Sequence, residues 1–189
     1  MQNPVRNLPT EQLLSIVSRG QVCEEDLHRP LMEVLKKPTR ADYPTGLLAA
    51  GELAERALAD QLREREPMSS PEAVRAYLRM YFAGYEHESF VLLHLDAQFR
   101  LIEVEELFRG TLTQTSVYPR EIIKSVLKRN SAALLLAHNH PSGNCTPSQA
   151  DKSLTALIKT ALSPIDVIVL DHIVVGDSSC RSMAEMGEM

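Results

Sequence analysis

The chain has 189 residues, 44% hydrophobic and 24% charged, a balance that suits a folded protein and is too apolar for a disordered one. Twenty Lys and Arg against 25 Asp and Glu give a formal charge of −5, split as 9 and 11 over residues 1–66 and 11 and 14 over 67–189, so neither part offers a broad basic surface to nucleic acid. An odd set of cysteines without a CxxC pair (Cys23, Cys145, Cys180), an N-terminal stretch without a secretion-type apolar run, and no segment near the ~20 apolar residues of a membrane span set aside disulfide-stapled, secreted and membrane-spanning classes; the expectation is a reducing, cytoplasmic setting with no membrane partner.

Residues 1–66 read as a small helical region. Glu11 to Val17 carries Leu13, Leu14 and Val17 at helical spacing, and a longer pattern from Leu47 to Glu66 repeats Leu47, Leu48, Ala54, Ala57, Leu58 and Leu62. Between them KKPTRADYPTG breaks the pattern with two prolines and a glycine. The segment PMSSPEAV opens a second domain over 67–189: Ser70 is placed to cap a helix beginning at Pro71, with Val74, Tyr77, Leu78 and Tyr81 on one face.

A hairpin follows, SFVLLHLD going out, DAQFR turning, LIEVEEL returning. YPREIIKSVLKRN is a helix with Pro119 near its start and Ile122, Ile123, Val126 and Leu127 on one side. SAALLLA is a continuous apolar run suited to a strand covered on both faces, QADKSLTALIKTAL a helix, and IDVIVLDHIVVG another buried strand. The order from residue 71, α β β α β α β, predicts an α/β fold in which a mixed sheet is flanked by helices.

Chemistry concentrates in LLLAHNHPSGNCTPSQADKSL. His138 and His140 leave the strand two residues apart, so strand periodicity sends both side chains to one face as a chelating pair. Past the Pro141-Ser142-Gly143 turn, Thr146 reads as a helix N-cap with Pro147 first and Gln149 completing a capping box. Ser148 then lies in the first turn. Asp151 falls one turn before Leu154 on an apolar stripe with Leu157, Ile158, Ala161 and Leu162. A carboxylate aimed at the core needs a cation, and two nearby imidazoles with no placed Lys or Arg point to a metal ion. Two His and one carboxylate leave a fourth tetrahedral position open, as in a catalytic zinc site. A base to take a proton from water at such a site comes from Glu86 or Glu88, which share one face before the first strand; Glu88 is nearer that strand and is favoured.

The pattern H-x-H-x7-S-x2-D, here His138, His140, Ser148 and Asp151, resembles the JAMM motif of JAB/MPN domains. ESFVLLHLD, LFRGT, VYPREI, AHNHPSG, TPSQAD, LDHIVVG and SMAEMG occur in the order seen in the bacterial RadC-like (UPF0758) family, so the resemblance covers roughly residues 68–189. It implies a cytidine-deaminase-like fold with one zinc ion on His138, His140 and Asp151, Glu88 as the base, and Ser148 stabilising an oxyanion. It further implies a zinc metalloprotease, a hydrolase of peptide or isopeptide bonds acting on a polypeptide. The alternatives are a DNA-repair or DNA-transaction accessory protein with structural or vestigial zinc, and a metal-dependent nuclease. Fuller RadC-like proteins carry an N-terminal helix-hairpin-helix, whereas KKPTRADYPTGLLAAGELAERAL shows no paired-glycine hairpin. Any nucleic-acid role is therefore confined to a local stripe, Arg120, Lys124 and Lys128, which otherwise reads as a solvated helix face. His172 reads as a hydrogen-bonded core histidine or, with Asp171, as support for the site from behind. His28, His87 and His94 read as structural, and Cys145 as a small tolerated residue in the metal loop.

Overall fold

The computed structural model describes residues 8–21, 23–29, 31–36, 45–64, 70–110, 118–177 and 179–189. The chain divides into two compact units, Met1–Ala57 and Leu58–Met189. In the first, α1 (Thr10–Val17), a 3-10 turn (Glu25–His28), α2 (Leu31–Lys36) and the opening of α3 (Thr45–Glu64) gather a small core of Leu14, Val34 and Leu47. Asp26 is buried in the 3-10 turn because Arg29 donates to it at 2.8 Å, which offsets the cost of desolvating the carboxylate. Most of KKPTRADYPTG, the end of the predicted Leu47–Glu66 pattern, and with them the helix-hairpin-helix question, lie outside the described residues.

The second unit continues through α4 (Pro71–Phe82), β1 (Ser89–Leu95), β2 (Leu101–Arg109), α5 (Pro119–Arg129), β3 (Ala133–Asn139), α6 (Gln149–Leu162), a 3-10 turn (Ser163–Ile165), β4 (Ile168–Val175) and β5 (Cys180–Ser182). Ser70 sits at the α4 N-cap with Pro71 next, as the sequence predicts, although the serine side chain makes no capping bond. Asp96 closes the β1–β2 hairpin by accepting from the Gln98 and Arg100 amides, each at 2.9 Å.

The five strands form a mixed sheet in the order β2-β1-β3-β4-β5, with β3 and β4 parallel and every other pair antiparallel. Strands alternate sides, so β1 and β3 each face two cores. Val91, Leu93, Leu95, Leu135 and Ala137 meet α4 and the end of α3 through Tyr77, Leu78, Phe82 and Leu62. Phe90, Leu92, Leu134 and Leu136 meet α5 and α6 through Ile122, Val126, Ile158 and Leu162.

Three local expectations are corrected. Leu127 on α5 and Leu157 on α6 are 60% and 50% exposed rather than core-facing. The buried line on α6 is Asp151, Thr155, Ile158 and Leu162, so the apolar stripe is narrower than a count of hydrophobic residues makes it. The short edge strand β5 adds to the predicted order; its three residues are too few to show a period. No described helix is long and apolar enough to cross a membrane, and among the described residues Cys23, Cys145 and Cys180 form no disulfide.

Candidate metal centre

The site forms where β3 runs out. His138 follows Leu134 and Leu136 on the α5/α6 face and is fully buried. Asn139 turns to the other face, where its side-chain amide donates to the His87 carbonyl at 2.9 Å and accepts from the Ser89 amide at 2.8 Å. That pair of bonds pins the end of β3 to the start of β1. The His140 amide continues the ladder by donating to Val175 O at 2.8 Å, so His140 returns to the same face as His138.

The chain then turns at Gly143, whose φ of +79° is a left-handed conformation that glycine adopts without strain. The β4–β5 turn packs directly against this loop: a β-carbon on Gly176 would overlap the Gly143 carbonyl. Inside the loop, His140 Nδ1 lies 2.6 Å from Asn144 O, and Asn144 Oδ1 accepts from the Thr146 amide at 3.0 Å.

Helix α6 begins later than predicted. Its N-cap is Ser148, and the capping box pairs Ser148 with Asp151 rather than Thr146 with Gln149. The reason is reciprocity. Asp151 Oδ2 accepts from both the Ser148 amide and its hydroxyl at 2.7 Å, while the Asp151 amide donates back to Ser148 Oγ at 3.2 Å. Thr146 is already engaged by the Asn144 side chain and precedes a proline, which disfavours helical backbone there.

This cap brings Asp151 to the histidines. His138 Nε2 lies 2.9 Å from His140 Nε2 and 3.3 Å from Asp151 Oδ1, and His140 Nε2 lies 3.7 Å from Asp151 Oδ2. The three residues together could hold a metal ion, each offering one atom within 4.8 Å of the others. Zinc bonds of ~2.0–2.1 Å at tetrahedral angles need donors about 3.3 Å apart, and these separations straddle that value. The Asp151 side chain is only 3% exposed. Burial pushes its carboxyl up, but the bond and charge of His138 and the two Ser148 bonds outweigh this and hold it well below the usual carboxylate range. The group is therefore an anion in a nearly dry place, with two imidazoles as its neighbours.

Behind His138 stands His172 of β4, fully buried, its Nε2 2.8 Å from His138 Nδ1 and its Nδ1 2.6 Å from Thr155 Oγ1. A register shift makes this contact: Leu134 pairs with Val169 but Leu135 pairs with Asp171. The extra residue reverses the alternation, so Val169 and His172 face the same core and His172 meets α6. Asp171, in contrast, accepts from the His172 and Ala184 amides and fastens the C-terminal turn. Nothing in the apolar run IDVIVLDHIVVG marks the bulge, so the sequence names His172 without fixing its direction.

The remaining candidates lie as follows. Glu88 immediately precedes β1, whose Phe90 pairs with His138. Glu86 is exposed and two residues further out, while Glu88 is half-buried and its carbonyl accepts from the Gly110 amide. Cys145 is buried with its thiol against Ser179 Oγ at 3.2 Å. Arg120 and Lys124 are largely exposed and both reach Glu121, at 3.3 and 3.0 Å.

Fold and donor set define an α/β domain that could hold one metal ion at the end of its sheet, between a strand and the start of the next helix. The model of the RadC-like JAB domain matches residues 68–188, and the chain belongs to that family. A UPF0758 protein of Acidovorax sp. (strain JS42) is 57% identical over 141 residues, covering 75% of this chain and 59% of the relative. A UPF0758 protein of Delftia acidovorans is 43% identical over 198 residues, covering 93% and 87%, and one of Nitrosomonas eutropha is 54% identical over 171 residues, covering 90% and 75%. The chain thus spans less than two thirds of the Acidovorax relative's length.

Proposed function

We propose that the protein is a zinc-dependent hydrolase of the JAMM type, a metallopeptidase that cleaves a peptide or isopeptide bond in a polypeptide. The observation that carries this reading is the convergence of His138, His140 and the buried, ionised Asp151. Among the described residues nothing else supplies that carboxylate with a full cation, since no Lys or Arg pairs with it and each histidine is charged only if protonated. His138, His140 and Asp151 are the proposed zinc ligands. Bound there, zinc supplies Lewis-acid activation of water and of the scissile carbonyl.

The chain's own groups do the rest. Glu88 accepts a proton at its carboxylate and returns it to the leaving nitrogen. Ser148 now donates to Asp151; a rotation of its hydroxyl at the α6 N-terminus turns that donor toward the developing oxyanion, where the helix dipole also favours negative charge. An acidic chain whose Arg120 and Lys124 are already engaged by Glu121 favours a polypeptide over a nucleic acid.

Metal content of the purified protein, with digestion of an unfolded polypeptide, tests this. One zinc per chain and peptide cleavage are expected. His138→Ala/His140→Ala should lose both, and Glu88→Gln should keep the metal while turnover falls by about 10²–10⁴. Full zinc in the double variant removes the ligand assignment. Zinc-loaded protein that cleaves no peptide but binds DNA in a salt-dependent way, unaffected by Glu88→Gln, replaces the peptidase reading with an accessory role on DNA.

A further inference from the structure

The contacts behind His138 determine where each proton sits. Thr155 Oγ1 lies 2.6 Å from the Asp151 backbone carbonyl and 2.6 Å from His172 Nδ1. Two oxygens that close need a proton between them, and a carbonyl has none to give, so the hydroxyl donates to Asp151 O. Its single proton is then committed, and only lone pairs face His172. The Nδ1 of His172 must therefore carry hydrogen. The ring is fully buried and its two nitrogens face only the Thr155 hydroxyl and the His138 ring, with no carboxylate to balance a second proton, so Nε2 is bare and accepts from His138 Nδ1–H across 2.8 Å. With Nδ1 so committed, Nε2 is the His138 atom whose lone pair a metal ion can take, and it faces His140 and Asp151.

We propose that Thr155 and His172 are positioning residues, a one-way hydrogen-bond wire from the Asp151 main chain to His138 Nδ1 that sets the tautomer and ring orientation of His138 and so presents Nε2 to a metal ion. The last clause rests on the metal-binding reading above; the direction of the wire stands on hydrogen-bond geometry and the burial of His172. Both ends of the wire belong to the donor set, which couples the first turn of α6 to the end of β3. Its members cannot swing away. Thr155 and His172 are both fully buried, the His172 carbonyl accepts from the Met183 amide at 2.9 Å, and the Phe90 ring stacks along His138 while meeting His172 edge-on. His140 needs no such wire, because its Nδ1 faces the acceptor-only Asn144 carbonyl within its own loop.

The test uses the full chain, ¹⁵N-labelled and stripped of metal, with two-bond ¹H–¹⁵N spectra to read the tautomers and a chelator competition to read zinc affinity. Wild type should show His138 and His172 as Nδ1–H. Thr155→Val removes the acceptor for His172 and should send both rings to Nε2–H, with zinc affinity falling about 10- to 100-fold. Thr155→Ser keeps the oxygen and should restore both readouts. A bare Nδ1 on His138 in wild type overturns the wire, and this measurement decides the matter even if Thr155→Val fails to fold. Folded Thr155→Val with unchanged tautomers and affinity also overturns it, while zinc bound by wild type leaves the metal reading intact. Wild type that takes up no zinc, yet switches tautomer with Thr155→Val, overturns the metal reading and leaves the wire as a purely structural device.

Discussion

His94 lies on the same face of the sheet as His138 but at the far end of β1, paired with Leu134 where Phe90 is paired with His138. Its ring is fully buried between Ser131 Oγ at 2.8 Å, Ser125 Oγ at 3.2 Å and Glu105 Oε2 at 3.3 Å, and Ser125 in turn donates to Glu105. Arg129 closes the network by bridging Glu103 at 2.9 Å and Glu105 at 3.3 Å. Burial lowers the His94 pKa, and the charge of Arg129 adds to that; the bond and charge of Glu105 oppose it without reversing it. A histidine depressed in the folded state binds its proton more readily when unfolded. Its contribution to stability is therefore complete above about pH 6.5 and is lost as pH falls from there through the folded value, with a slope of up to ~1.4 kcal/mol per pH unit. His94→Gln should cost about 1–3 kcal/mol at pH 7.5 by leaving buried partners unsatisfied, and the gap to wild type should narrow toward pH 5. Urea unfolding across pH 5–8 measures both; parallel curves for the two proteins sink the assignment. The two buried histidines also show what spacing conveys. The convergence of His138, His140 and Asp151 was legible because a two-residue strand interval and a three-residue helix interval each force side chains onto one face, whereas the directions of His94 and His172 depend on partners remote in sequence.

At the scale of elements, periodicity placed α4, β1, β2, α5, β3, α6 and β4, because each carries enough turns or alternations to be read. It misjudged the detail wherever neighbours rather than composition decide. On α6 the sequence offers Leu154, Leu157, Ile158, Ala161 and Leu162, yet of these only Ile158 and Leu162 are buried, in line with Thr155, and Leu154 is partly covered. Leu157 is half exposed and Ile158 wholly buried, although they adjoin in sequence and match in size. Leu157→Lys should therefore change stability by no more than about 0.5 kcal/mol, while Ile158→Ala should cost about 2–5 kcal/mol through the cavity it opens beside Leu134 and Leu136. Comparable losses for both would mean that α6 is rotated from the position described. The same reasoning explains the misplaced capping box. Thr146 and Ser148 are both residue types that cap helices, and what selects Ser148 is the reciprocal bonding of Asp151, which the pattern T-P-S-Q does not contain.

For the whole molecule, the compact unit that carries the site begins at Leu58, ten residues before the span matched by the family model. The intervening chain has a physical task. Ala59 and Leu62 at the end of α3 belong to the same buried cluster as Val74, Tyr77, Leu78 and Phe82 of α4 and the odd-numbered face of β1 and β3. Leu62 is 1% exposed, so removing it uncovers α4 on a face that is otherwise dry. We predict that a fragment of residues 58–189 unfolds in one cooperative transition and binds zinc as the full chain does. A fragment of residues 70–189 should be less stable by about 2–5 kcal/mol, the range for losing a large aliphatic side chain from a core. Zinc should raise both midpoints, since an ion held only by the folded state adds ~1.4 kcal/mol for each tenfold of free metal above its Kd. The increment should be equal in the two fragments, because His138, His140 and Asp151 sit on the α5/α6 side of the sheet while Leu62 packs on the other. Urea unfolding of both fragments, with zinc and with chelator, separates the terms. Equal stability of the two in chelator would mean that α3 adds nothing to this core, and a zinc increment confined to the longer fragment would mean that the metal site depends on it.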